Sequence, residues 1–256
     1  FGQLGFLPDQ AGALDRALHG PAGLIYLTGP TGSGKTTTLH SALHALDHHG
    51  RVIHTLEDPV EYEFSAIRQT EIREKIGLTF ATALRALLRQ NPDVLLVGET
   101  RDAETAQLAI RAALTGHLVL STLHTNDALA AIPRLRDLGV EPFLLAAALR
   151  LVAAQRLVRR LCPECKALHP ESTRIAAHYL LPETQLFRAV GCAACRRCSR
   201  IFLSCETVRT STGSSISVRR SLRQLRRRCY RGKPGLVSAL PVAAFAALLR
   251  PTPWRG

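Results

Sequence analysis

The stretch LIYLTGPTGSGKTTTLH, residues 24–40, decides the fold: an apolar run leads into a glycine-rich turn, and a Lys-Thr pair then opens a helix-compatible segment. Residues 29–36 match G-x-x-x-x-G-K-[ST], and they do so between a strand and a helix, where that pattern has a mechanism. Glycines let successive backbone N–H groups converge on phosphate oxygens, and the helix N-terminus adds partial positive charge. Gly29, Pro30, Thr31, Gly32, Ser33, Gly34, Lys35, Thr36 and Thr37 are therefore the candidate residues for binding ATP. In that role Lys35 reaches the terminal phosphates, and Thr36 is the candidate Mg²⁺ ligand. No G-x-G-x-x-G is present, so a dinucleotide dehydrogenase is unsupported.

Further apolar runs bounded by turn residues alternate with helical periods, which predicts an α/β fold with a mostly parallel sheet flanked by helices. Strands are expected at 24–28, 52–56, 94–97 and 118–122, and helices at 35–48, 79–90, 102–115, 126–138 and 142–160. Thr79 suits an N-cap, Asn91-Pro92 a stop and Gly116 a helix-ending glycine. Strand ends on one edge of a parallel sheet converge on a ligand crevice. The second strand ends in LEDPVE, with Glu57, Asp58 and Glu61, and the third in VLLVGE, with Glu99. These carboxylates are candidates for holding the metal and for orienting water, against the alternative of solvated loop acids. His117 and His124 flank the fourth strand, where a histidine can bond a phosphate or a catalytic carboxylate, or simply pack. Arg85 and Arg89, four apart on one helix face, are either solvated or able to reach a neighbouring subunit's triphosphate.

Charge is distributed unevenly. The net charge is +13, yet residues 196–256 hold 14 Lys and Arg against one acid, Glu206, while the first 195 residues carry 19 bases and 19 acids. The basicity belongs to the tail, so nucleic acid is not the expected partner of the domain. No uncharged apolar run reaches the ~18 residues that a membrane helix needs. FGQLGFLPDQ at the N-terminus lacks the basic start and apolar block of a signal peptide and has no initiator Met. A cytoplasmic chain that begins within a longer protein is expected. Cys162, Cys165, Cys192 and Cys195 form C-x2-C-x26-C-x2-C, a tetrahedral thiolate set suited to structural Zn²⁺. The alternatives are free cysteines, or His169 or Cys198 standing in for one ligand.

GPTGSGKTTT, EDPVEY, LRALLRQNPDVLLVGETRD, TGHLVLSTLHTND and QRLVRRLCPEC together resemble the ATPases of type II secretion and type IV pilus assembly, in the right order over about residues 4–195. The resemblance implies a RecA-like P-loop core at 1–160, a zinc-binding tetracysteine insert at 161–195, and a boundary before the basic segment 196–256. It places the family's Walker A motif on 29–36, its Asp box on 57–61, its Walker B motif on 94–99 and its His box on 115–125. It implies that Glu99 is the catalytic carboxylate, that Glu57 and Glu61 serve Mg²⁺ and water, and that His117 and His124 respond to nucleotide. It further implies a ring hexamer with Arg85 and Arg89 at the subunit interface, on the cytoplasmic face of the inner membrane, coupled to inner-membrane platform proteins. The family's preceding N-terminal domains, which close over the nucleotide, do not appear before Leu4, so ATP binding with weak hydrolysis is expected. Asn91 and Thr100 stand where the family has Asp and Ile, and both are expected to be tolerated.

After Cys195 the resemblance stops, and the Arg/Ser-rich tail has no sustained helical or strand period. Codons compatible with residues 200–210, read one base later, permit G-[FY]-x-x-R-[VA]-x-L-[FY]-E, close to the family's next segment. The leading reading is thus a shifted frame; a disordered basic arm for anionic lipid or nucleic acid and a divergent folded domain are its rivals. At the level of function, a motor ATPase stands against a DNA-transfer protein using the same core with a basic tail, and against a non-functional gene fragment.

Overall fold

Six parallel strands form the body of the sheet, and their sequences explain why. In a computed structural model, residues 1–46, 50–159, 161–178, 185–193 and 195 are described, together with the backbone of 201–210 and 216–219. The strands are β1 (Gly23–Thr28), β2 (Ile53–Glu57), β3 (Arg68–Glu71), β4 (Val94–Val97), β5 (Leu118–Leu123) and β6 (Leu149–Arg159). Their order is β6-β1-β5-β4-β2-β3, all parallel. A parallel sheet covered by helices on both faces needs near-continuous apolar strands. β1, β2, β4 and β5 are accordingly buried at every position.

The period-2 alternation sends neighbours to opposite faces. Leu24 and Tyr26 of β1 join one core, with Leu84 of α3 (Phe80–Leu87) and Ile110 of α4 (Ala103–Leu114). Ile25 and Leu27 join the other, with Leu14 of α1 (Pro8–Leu18) and Leu39 and Leu43 of α2 (Lys35–Ala45). α5 (Ala131–Asp137) and α6 (Pro142–Ala148) complete the first layer. Strands β2 to β5 all lie on one side of β1 and β6 on the other, so the crevice for a ligand opens at the end of β1. Among the described residues no helix is long and apolar enough to cross a membrane.

Several local expectations meet different geometry, among them the helix expected over 126–138, which begins only at Ala131. The helix expected over 142–160 ends at Ala148, and Leu149–Arg159 is instead β6, parallel to β1. LRLVAAQRLVR is apolar on both sides of a strand, with Leu151, Val152 and Ala153 all buried, and such a run cannot be told from a buried helix by period alone. The helix expected over 79–90 stops at Leu87 and finishes as a 3-10 turn, Leu88–Gln90. Asn91 then takes φ 50, the left-handed region that Asn and Asp tolerate far better than β-branched or bulky residues do. Finally, within the segment read as lacking period, Ile201–Thr210 runs antiparallel along β6 from Arg159 back to Leu151, and Ile216–Arg219 pairs with it in turn. The rest of the segment from 196 lies outside the described residues.

The sheet contains a titratable group with no compensation. His54 on β2 is 1% exposed, and its Nε2 has no partner. Burial, and then the Arg68 charge on β3, hold its pKa below the ordinary 6.5. A base whose folded pKa is lowered stays neutral in the fold while the unfolded chain takes up a proton, so stability is full above about pH 6.5 and falls as pH drops towards the folded pKa. His54→Leu should therefore lose less Tm between pH 7.5 and pH 5.5 than the parent chain, measured by thermal unfolding. An unchanged acid sensitivity would show that His54 does not set it.

Candidate functional site

The loop after β1 is shaped by contacts that leave no room for a side chain. Gly29 has φ +150, and a Cβ there would lie 2.5 Å from the Gln155 carbonyl and 2.7 Å from Ser33 Oγ. Gly34 caps α2 in the left-handed region at φ 82. Both positions require glycine, for contact and for conformation respectively. Gln155 of β6, fully buried, donates to the Ser33 carbonyl at 2.7 Å and accepts from Thr38 Oγ1 at 3.0 Å, so β6 clamps the loop to its own helix. Lys35 Nζ curls back to donate to the carbonyls of Gly29 at 2.9 Å and Pro30 at 3.1 Å. Burial lowers the pKa of Lys35, the nearby Glu99 carboxylate works against that, and the Arg156 charge adds to it.

These features fit a nucleotide triphosphate. The glycine cradle would be filled by any Cβ, the buried Ser33 hydroxyl has no partner, and Lys35 is held by carbonyls that phosphate oxygens can replace. Thr36 and Thr37 follow at the head of α2, half-buried and exposed, while Pro30, Thr31 and Gly32 form the exposed crest of the loop.

The acids separate into two environments. Glu99 follows β4 with its side chain 13% exposed; Arg101 lies 2.6 Å from Oε1 and His124 Nε2 lies 3.7 Å from Oε2. Its charge acts on Lys35, since β1 and β4 flank β5 in the parallel sheet and end on the same edge. Glu57 differs from the expectation that it faces metal or water. Its Oε1 accepts from Thr55 Oγ1 at 2.6 Å and Gln69 Nε2 at 2.9 Å, and its Oε2 is bonded to His40 Nε2 of α2 at 2.9 Å. At 4% exposure the carboxylate is enclosed by protein donors, and although burial raises its pKa, the bonds from His40, Thr55 and Gln69 bring it below the usual value. It remains ionised as a buried anchor. The rings of Tyr62 and Phe64 close edge-on around His40, at centroid distances of 5.6 and 5.4 Å. Asp58 and Glu61, in the following loop, are exposed.

The histidines and arginines also divide. His124 reaches Glu99, but His117 sits at the opposite end of β5, where its carbonyl accepts from Gly23 at the start of β1 and its Nδ1 contacts the Ala112 carbonyl at 2.9 Å. Seven residues of extended chain separate the two by roughly 20 Å, so the sheet brings only His124 to the phosphate loop of the same chain. Arg85 pairs with Glu104 of α4, both half-exposed, and Arg89 is exposed in the turn after α3. Thr100 is 4% exposed and shares a buried hydroxyl chain with Ser121 at 2.9 Å and Tyr26 at 3.3 Å; burial pushes the Tyr26 pKa up to about 12. An isoleucine would not supply that chain. The sequence carried no signal for His40, Gln69 or Thr55 as partners of Glu57, nor for Gln155 beneath the loop.

The four cysteines converge. β7 (Lys166–Leu168) and β8 (Phe187–Ala189) pair antiparallel, Lys166 against Ala189, which brings together the CPEC and CAAC turns on either side. The sulfurs of Cys162, Cys165, Cys192 and Cys195 all lie within 4.8 Å of one another. The Cys165–Cys195 and Cys192–Cys195 separations are 3.4 and 3.7 Å. Zn–S bonds of about 2.3 Å in a tetrahedron put sulfurs about 3.8 Å apart, so the set fits Zn²⁺ and not a disulfide. His169 instead accepts from the Glu171 N–H at 3.2 Å, and Cys198 lies outside the described residues.

Comparison with known proteins agrees with this geometry. Residues 1–228 match the family described as Type II/IV secretion system protein. Type II secretion system protein E of Klebsiella pneumoniae is 55% identical over 193 residues, which make up 75% of this chain and 39% of that protein. Type II secretion system ATPase E of Vibrio cholerae is 51% identical over 183 residues, 70% of this chain and 36% of that protein. The chain thus spans well under half the length of these relatives. The crystal structure of the pilus retraction motor PilT with bound ADP superposes with a TM-score of 0.56 at 40% identity, covering 63% of this chain and 49% of that one. The ATPase DotB of Legionella pneumophila gives 0.55 at 31% identity, covering 62% and 46%. A glycine-shaped loop carrying Lys35, Glu99 beside Arg101 and His124 on the same edge of the sheet, and a pairwise likeness of this extent lead to one assignment: the chain belongs to the Type II/IV secretion system protein family.

Proposed function

We propose that this chain is the ATP-hydrolysing core of a motor that drives type II secretion or type IV pilus assembly. The observation that carries the reading is the glycine-shaped loop after β1 that carries Lys35, with Glu99, bracketed by Arg101 and His124, following β4 on the same edge of the sheet. In this reading the loop amides and Lys35 bind the phosphates, and Thr36 with the exposed acids Asp58 and Glu61 serves Mg²⁺, which neutralises developing phosphate charge. Glu99 orients the attacking water and takes up its proton, and His124 adjusts the Glu99 carboxylate. Glu57 acts at a distance, anchoring the Asp58 to Glu61 loop to α2 through His40.

On the same reading the subunits form a ring hexamer in which Arg85 and Arg89 face a neighbour's nucleotide, docked on inner-membrane platform proteins at the cytoplasmic face. The chain divides into a core through residue 160, a module at 161–195 tied by Zn²⁺ on Cys162, Cys165, Cys192 and Cys195, and a basic segment from 196 whose stretch Ile201–Thr210 still joins the core sheet. With four sulfurs bound, the zinc has no open position and supplies fold stability alone.

Three outcomes test these assignments. Lys35→Ala should remove most nucleotide affinity, while Glu99→Gln should leave affinity intact and stop turnover, because one contacts ground-state phosphates and the other serves the attacking water. Equal loss of binding in both, by titration with a fluorescent ATP analogue, would overturn the division of roles. Glu57→Gln should destabilise the fold by about 2 kcal/mol, the worth of a buried charge-assisted bond, yet change nucleotide affinity less than about threefold. A selective loss of Mg²⁺ dependence in that variant would make Glu57 a metal ligand after all. Metal analysis of the purified chain should find about one zinc per chain, abolished in Cys165→Ser/Cys195→Ser, with Tm falling on chelation.

A further inference from the structure

The strand beneath the phosphate loop carries a cation that the assignments above do not use. Arg156 follows the clamp residue Gln155 on β6, and its Nη1 lies 3.2 Å from where a Cβ on Gly29 would stand. The guanidinium donates to two backbone carbonyls, Gln155 through Nη1 at 3.2 Å and Asn126 through Nη2 at 2.6 Å. Among the described residues no carboxylate pairs with it. Its charge instead acts on Lys35, a like charge, and helps to lower the pKa of that lysine. Like charges at one loop repel, and carbonyls compensate a full charge less well than an anion does.

We propose that Arg156 is a second cationic ligand of the terminal phosphate of ATP, supplied in cis by β6 and resting on the Asn126 carbonyl between turnovers. The proposal depends on the phosphate loop binding nucleotide as argued above. Lys35 marks the β/γ end of a bound triphosphate, and Arg156 lies over the same first turn of the loop. A planar fork of donors matches phosphate oxygens bidentately, which suits Arg for this position better than Lys. The resting contact is itself informative. Asn126 stands two residues after His124, in the loop that also ties back to β1 through Thr125 N to Thr28 Oγ1 at 3.0 Å. Transfer of Arg156 from the Asn126 carbonyl to a γ-phosphate would release that loop beside Glu99. The triphosphate, and not the diphosphate, would then be reported to the His124 side of the site.

The rival is a purely structural peg between β6 and the loop after β5. A peg would weaken all nucleotides alike, or none. The test is binding of ADP and of a non-hydrolysable ATP analogue, with Mg²⁺, to the full chain and to Arg156→Ala, Arg156→Lys and Lys35→Ala. Arg156→Ala should weaken the triphosphate analogue about tenfold, as loss of a charge-assisted pair does, with ADP changing less than about threefold. Arg156→Lys, which keeps the charge, should show the same selectivity with a smaller loss, and it carries the test if the alanine variant does not fold. Equal changes for the two nucleotides, or none, in whichever variant folds would overturn the proposal. Retained affinity for both in Lys35→Ala would instead refute the nucleotide reading of the loop itself.

Discussion

The candidate site depends on a packing constraint at Gly29, where the backbone lies so close to the Gln155 carbonyl and the Ser33 hydroxyl that no Cβ fits. That contact, with the Gln155 side chain bonded to both Ser33 and Thr38, sets the curvature of the loop from a strand more than a hundred residues away. A buried amide with both ends engaged is rigid, because breaking either bond leaves a polar group without water. β6 therefore acts on several parts of the molecule at once. It holds the loop through Gln155 and reaches the segment after β5 through Arg156, and it ends three residues before Cys162 and the cysteine cluster.

The acids at successive strand ends show how enclosure separates similar residues. Glu57 ends β2 and Glu99 follows β4, both buried parallel strands. α2 places His40 over Glu57, and β3 places Gln69 beside it, so three donors satisfy the carboxylate and withdraw it from the crevice. Burying that charge is tolerated only because every donor is in place. Glu99 has a nearby arginine and histidine but keeps an opening, and it shares the crevice with Lys35. The two carboxylates are thus suited to different work, one to holding a loop against the helix that carries the phosphate site, the other to chemistry.

Much of the fold was legible in advance. β4 spans residues 94–97 as expected, β1 and β5 differ from expectation by one residue at one end, and β2 is shifted by one residue at both ends. These strands are buried on both faces; β2, IHTLE, is buried with His54, Thr55 and Glu57 in it, whereas mostly apolar runs bounded by turns mark β1, β4 and β5. The same property hid β6, since LRLVAAQRLVR reads equally as a continuation of the helix before it. β3, whose sequence is RQTE, gave no signal, because an edge strand with exposed ends needs no apolar pattern. Of the expected site residues, the structure sets the loop, Glu99 and His124 at one edge of the sheet, whereas His117, expected beside His124 because both flank the fourth strand, lies at the opposite end of β5.

By itself the sequence determined the phosphate loop, the α/β class and the cysteine pairs, because each rests on chemistry between residues close along the chain: glycine backbone freedom, strand burial, thiolate spacing. Only the tertiary structure decided which acid is enclosed and which is open, which histidine reaches the site, and that Gln155 and Arg156 stand at the loop. Those contacts link residues far apart in sequence, and they exist only after strand order and register bring β6 beside β1 and β2 beside β3.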